Sequence, residues 1–266
     1  MKKSVLSLVA ATVLGLASGS ASAAFVPFTV NPSVVPGMPG AYPSVTADKI
    51  NGGYTEMLGL TGPGTFSASA IGTFSAYYNT GSATPSNILP TGLAGDPLLT
   101  FGASYNIYAL FTATGMVTGP NQFQGTGGTL HVYLDYNQDT TCTLTSYVTA
   151  AGCVGNGEDI EIGSSSISFG TGNLSGPPGA FNIYFKEFQL SAFGATYWTG
   201  LDTMQFLLQT NGDIDQVTPD PTLNPPPYQL TGDFSANFAV PEPTSVLLVG
   251  AGLIGAGLIS RRRKSA

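Results

Sequence analysis

Basic residues are almost missing from the body of this 266-residue chain. Of its 8 lysines and arginines, Lys2, Lys3, Arg261, Arg262, Arg263 and Lys264 sit at the two ends, which leaves only Lys49 and Lys186 between residues 24 and 243. All 15 acidic residues fall in that span, so two positive charges face 15 negative ones, a net of −13. Such a surface offers too few cations to hold nucleic-acid phosphates or anionic headgroups, and suits multivalent cations or cationic polymers instead. Histidine occurs once, as His131, and no Gly-x-Ser-x-Gly turn accompanies it, which argues against a Ser-His-Asp centre. Two cysteines without a Cys-x-x-Cys pair argue against a zinc site. Neither a phosphate-cradling loop nor a dinucleotide fingerprint is present. No window sustains a 3.6-residue apolar period, which excludes a helical domain.

What the chain does have is glycine, 35 residues of it, with 12 tyrosines and 15 phenylalanines. Short alternating stretches recur between Gly, Pro and Asn turns, as half-buried strands do. In residues 230–240, Leu230, Phe234, Ala236, Phe238 and Val240 share one face with Gly232, while Thr231, Asp233, Ser235 and Asn237 take the other. Leu130, Val132 and Leu134 alternate with His131, Tyr133 and Asp135, and Phe181, Ile183 and Phe185 with Asn182, Tyr184 and Lys186. Residues 50–60, 65–78, 105–114 and 204–210 are further strands, while 79–96, 115–128 and the proline-rich 218–228 are turn-rich connections. The expected fold is all-β, an antiparallel sandwich or jelly roll over residues 24–240.

The two ends carry addresses. Lys2 and Lys3 precede an apolar segment at residues 5–16 and the small residues Ala21, Ser22 and Ala23, which is the layout of a secretory signal peptide over residues 1–23, cut by signal peptidase between Ala23 and Ala24. At the far end Pro241-Glu242-Pro243 is followed by an apolar, glycine-rich stretch at residues 246–259 and by Arg261, Arg262, Arg263 and Lys264. As a helix that stretch spans roughly 21 Å at about 1.5 Å per residue, short of the ~30 Å bilayer core, so it fits transient membrane lodging. The cations behind it stay cytoplasmic and place the preceding chain outside. In this order the parts resemble the sorting signal of PEP-CTERM proteins (residues 241–266 here), and the resemblance implies handling by the membrane protease exosortase during export.

Cys142 and Cys153, 11 positions apart in an exported chain, are expected to pair as a disulfide. Asp135, Asn137 and Asp139 place oxygen ligands at alternate positions, like the start of a calcium loop. Thr140 stands where such a loop has its glycine and Ser146 where it has its bidentate glutamate, while Glu158, Asp159 and Glu161 are available to close the site; an Asx-rich turn is the competing reading. Asp213 with Asp215, or Glu158 with Glu161, are nominal carboxylate pairs for glycoside hydrolysis. Tyr77, Tyr78, Tyr105, Tyr108, Tyr133, Tyr136, Tyr184, Tyr197 and Trp198 are either sheet-covering aromatics or stacking surfaces for sugar rings.

The segments Ile50-Asn51-Gly52-Gly53-Tyr54-Thr55-Glu56, Tyr105-Asn106-Ile107-Tyr108-Ala109-Leu110, Leu134-Asp135-Tyr136-Asn137 and Gly232-Asp233-Phe234-Ser235-Ala236-Asn237-Phe238 are similar to those of the flocculation-associated subgroup of PEP-CTERM proteins, as is Phe28-Thr29-Val30-Asn31-Pro32. This resemblance implies a non-enzymatic matrix or surface protein that helps cells aggregate, in flocs or biofilms, through exopolysaccharide. No catalytic residue and no cofactor come with it. The alternative is a secreted glycan-active hydrolase or a carbohydrate-binding module.

Overall fold

The computed structural model describes residues 26–38, 43–79, 86–88, 105–175, 179–201, 206–219 and 227–239. The signal peptide with its Ala23–Ala24 cut, Pro241-Glu242-Pro243, the apolar stretch 246–259 and the basic tail lie outside the described residues. In chain order the strands are β1 (Phe28–Val30), β2 (Val45–Ala47), β3 (Lys49–Gly62), β4 (Thr65–Asn79), β5 (Ser86–Ile88), β6 (Asn106–Gly119), β7 (Gln122–Asp135) and β8 (Thr141–Thr143). They continue as β9 (Gly152–Val154), β10 (Ile160–Ser165), β11 (Ile167–Asn173), β12 (Gly179–Leu190), β13 (Trp198–Thr199), β14 (Phe206–Ile214), β15 (Gln216–Pro219) and β16 (Tyr228–Ala239). A short α-helix, α1 (Gly194–Tyr197), precedes β13, and a 3-10 turn (Pro32–Val34) follows β1.

The all-β antiparallel class expected from the alternation is the one observed. Within it the strands follow a meander, and the sheet closes on itself. β3 pairs with β4, β4 with β6, β6 with β7, and β7 with both β10 and β11, which act as one wall strand. That strand pairs with β12, β12 with β14, β14 with β16, and β16 returns to β3. The result is an up-and-down barrel of eight wall positions. Closure removes the unpaired edges that an open sheet would expose.

Alternation sorts the side chains between lumen and outside. Leu230, Phe234, Ala236 and Phe238 of β16 are buried inward, as are Leu130, Val132 and Leu134 of β7. The outward positions are mostly Thr, Ser, Asn and Gln, joined by contacts such as Thr112 Oγ1 to Thr129 Oγ1 at 2.8 Å. This polarity is the reverse of a barrel with a lipid-facing wall. Glycine admits the inward rings: a Cβ on Gly212 would lie 2.1 Å from the Asp233 carbonyl oxygen and 2.7 Å from the Phe181 ring.

Residues 115–128, expected to be a turn-rich connection, instead continue both strands of the β6–β7 hairpin into a tight turn where Asn121 takes φ 59°. Their glycines weaken any alternation signal, yet they let strands crowd: a Cβ on Gly115 would meet the Gln124 carbonyl oxygen at 2.1 Å and the Phe66 ring at 2.6 Å.

One barrel end is plugged. β1, β2 and β13 form a three-stranded sheet there, and Phe28 sits edge-on to Phe238, Tyr77 and Trp198 with centroids 5.1, 5.9 and 6.1 Å away. The phenol of Tyr197 bonds those of Tyr105 (2.9 Å) and Tyr77 (3.3 Å), and Trp198 Nε1 donates to Tyr77 Oη at 2.9 Å. Buried aromatics of this kind need partners for their polar tips, and here they satisfy one another. β16 runs from the opposite, hairpin end and finishes at the plugged end.

Candidate functional site

The outer wall between β11 and β4 carries a continuous polar ladder. Thr171, Asn182, Asn211, Ser235 and Asn51 stand opposite one another in register across five consecutive strands, from β11 to β3. The outward parity of each strand places these side chains on one face, because Phe181, Ile183, Leu208 and Phe234 take the inward positions between them. Ser235 Oγ donates to Asn51 Oδ1 at 2.9 Å, Ser75 Oγ donates to the Asn51 carbonyl at 3.2 Å, and Gln209 Nε2 donates to Asn182 Oδ1 at 3.4 Å.

At its β3–β4 end the ladder sinks into a groove of about 490 Å³, lined by Asn51, Ser75, Tyr78, Asn211, Asp213, Asp233 and Ser235. The Asp233 backbone N–H donates to Asp213 Oδ1 at 3.3 Å, and Lys49 Nζ sits 4.9 Å from the Tyr78 ring centroid. At the other end Phe169 and Tyr184, directly opposed in register, stack 5.0 Å apart at 12°, with Lys186 Nζ 4.6 Å from the Phe169 ring and Asn182 Nδ2 donating to Tyr184 Oη at 2.9 Å. Both lysines of the domain are thus held on outer aromatic rings. Amide, hydroxyl and carboxylate groups beside aromatic faces can hydrogen-bond and stack on a polyhydroxylated ring.

The singled-out residues divide. Cys142 and Cys153 are bonded, with S–S 1.97 Å, and tie β8 to β9 in an arm between β7 and β10. The arm lies along the barrel's outside: a Cβ on Gly59 would meet the Tyr147 ring at 2.7 Å, and Cys142 and Leu144 lie beside Met57 and Ile71. Asp135 is buried and works as a turn cap, its Oδ1 accepting the Gln138 N–H at 2.6 Å and its Oδ2 the Thr140 N–H at 3.2 Å. Asn137 donates to Glu158, and Asp159 Oδ2 accepts from Tyr108 Oη at 2.6 Å and Thr140 Oγ1 at 2.8 Å. Asp139 lies near Glu158. Among the described residues no group of three or more His, Cys, Asp or Glu is placed to hold a metal ion.

His131 Nδ1 lies 3.2 Å from Glu161 Oε1 on the outer face, while Asp213 pairs across the sheet with Asp233 rather than with Asp215. Of the aromatics, Tyr77, Tyr105, Tyr197 and Trp198 belong to the plug, Tyr108 stacks on Tyr133 beneath the arm at 5.3 Å, and Tyr78 and Tyr184 flank the ladder. Among the described residues no helix is long and apolar enough to cross a membrane.

No curated protein and no solved structure matches this chain. Residues 239–264 match the family model described as the PEP-CTERM protein-sorting motif. With Pro-Glu-Pro, the apolar stretch and the basic cluster all inside that match, the chain carries a PEP-CTERM sorting signal, the mark of an exported, exosortase-sorted protein.

Proposed function

We propose that this protein promotes cell aggregation, as in flocs or biofilms, by holding exopolysaccharide on the outer ladder and groove of the barrel, without catalysing a reaction. The observation that carries the reading is the convergence of Asn51 with Asp233 and Ser235 on one groove. These residues come from the segments 50–56 and 232–238, which lie far apart in sequence and pair as β3 and β16. A shallow polar groove continued by a row of amides suits an extended polymer, since each repeat gains a few hydrogen bonds and the contacts add along the chain. The barrel supplies rigidity, so little ordering cost accompanies binding. The groove's acidic residues favour neutral or cationic glycans, or anionic ones bridged by divalent cations.

The test is co-sedimentation of the exported protein with exopolysaccharide from the producing cells. Replacing Asn51, Asn211 and Asp233 together by Ala should lower the bound fraction at least tenfold and leave cells dispersed while polysaccharide is still made. Unchanged binding and unchanged aggregation would refute the proposal. Release of reducing ends, lost on Asp213→Asn, would instead identify a hydrolase.

A further inference from the structure

The barrel lumen holds a second feature, separate from the outer groove. A cavity of about 140 Å³ lies inside the wall, between the aromatic layer of Phe234 and Phe185 and the hairpin-end layer of Phe66 and Phe123. Its surface is largely apolar; Tyr54, Ser168, Thr171 and Thr210 also line it, and Glu56 is the one carboxylate among the lining residues. Glu56 shares the inward parity of Tyr54 and Leu58, and its register neighbours Ala70 and Leu230 also line the cavity. Glu56 lines this cavity and is half-buried, with its carboxyl desolvated by the surrounding protein.

No hydrogen bond or ion pair satisfies that carboxyl among the described residues. None can come from a basic side chain of the exported region, since Lys49 and Lys186 are its only two and both lie on outer rings. His131, too, is on the outer wall, beside Glu161. A carboxyl held among apolar side chains with no cation beside it is costly to ionise, and a bound cation would offset that cost. Burial also pushes its pKa from 4.5 up to about 7, so it becomes an anion at neutral pH only with difficulty. A cation arriving from outside the chain would supply what is missing. The volume sets the rest of the ligand: an apolar cavity of about 150 Å³ takes a single benzene ring. At the hairpin end the exposed Leu60, Val217 and Tyr228 give an apolar rim.

We propose that the barrel lumen is a binding site for a small primary amine with a compact apolar body, its ammonium paired with Glu56 and its body held by Leu58, Phe66, Phe123 and Leu230. Benzylamine is the probe and ethylbenzene its uncharged isostere, titrated calorimetrically into the protein as cells export it. The expected result is one benzylamine site per chain, weakened at least tenfold by Glu56→Gln, with ethylbenzene affinity little changed by the same substitution. In the unsubstituted protein, benzylamine affinity should rise between pH 5 and 8 as Glu56 ionises, while ethylbenzene affinity stays flat. Absence of benzylamine binding, equal binding to the Gln variant, or a flat pH profile would overturn the proposal.

Discussion

Glu56 is the residue whose chemistry departs most from its surroundings. The pH dependence it imposes has a definite sign. Below pH 4.5 the carboxyl is protonated in both folded and unfolded chains and carries no penalty. Between 4.5 and about 7 the unfolded chain ionises while the folded one resists, so stability falls as pH rises through that window. The loss approaches about 3 kcal/mol at its upper limit. Glu56→Gln is therefore expected to match the parent near pH 4 and exceed it at pH 8, which urea unfolding at the two pH values will measure. Asp135 predicts the opposite kind of result. Both of its oxygens already accept backbone N–H groups, so excess calcium is expected to leave the melting temperature unchanged; a rise of several degrees would show an ion held at the arm. Residues 50–60 read as a strand in the sequence, but the inward place of Glu56 follows only from the pairing and closure of the sheet.

At the level of elements, the arm and the glycine-bearing strands make separate predictions. The disulfide closes a loop between residues 11 apart, worth about 3 kcal/mol on the chain-entropy estimate. Reduction, or replacement of Cys142 and Cys153 by serine, is expected to loosen the arm, uncover Met57 and speed proteolysis near Tyr147, while the barrel strands keep their amide protection. Gly212→Val should do the reverse, costing about 3 kcal/mol of global stability through crowding against Asp233 and Phe181. Chemical denaturation separates the two effects. Strands with clean alternation, such as β16 and the end of β7, were legible in the sequence. β11 and the ends of the β6–β7 hairpin were not, because serine and glycine give no period and their pairing depends on neighbours distant in sequence. The ladder was hidden for the same reason: Asn51, Asn182, Asn211 and Ser235 belong to four strands, and only register aligns them.

For the whole molecule, the barrel and the sorting signal are consecutive in the chain, and β16 ends where the matched motif begins. Replacing Pro241, Glu242 and Pro243 by alanine is expected to block processing, read as an unchanged mass and retention in the membrane fraction. The signal was legible residue by residue because address sequences act locally, whereas the barrel arises from pairings spread over the full domain. One such pairing has a consequence for export. The seam between β3 and β16 joins segments from opposite ends of the domain, and it is the last to become available as the chain crosses the membrane. Until it is zipped, β3 and β14 present bare backbone, each able to recruit a strand from another molecule. A chain clipped before residue 228 would keep both sticky flanks for good, so proteolytic trimming on that side would turn a closed barrel into a unit that polymerises.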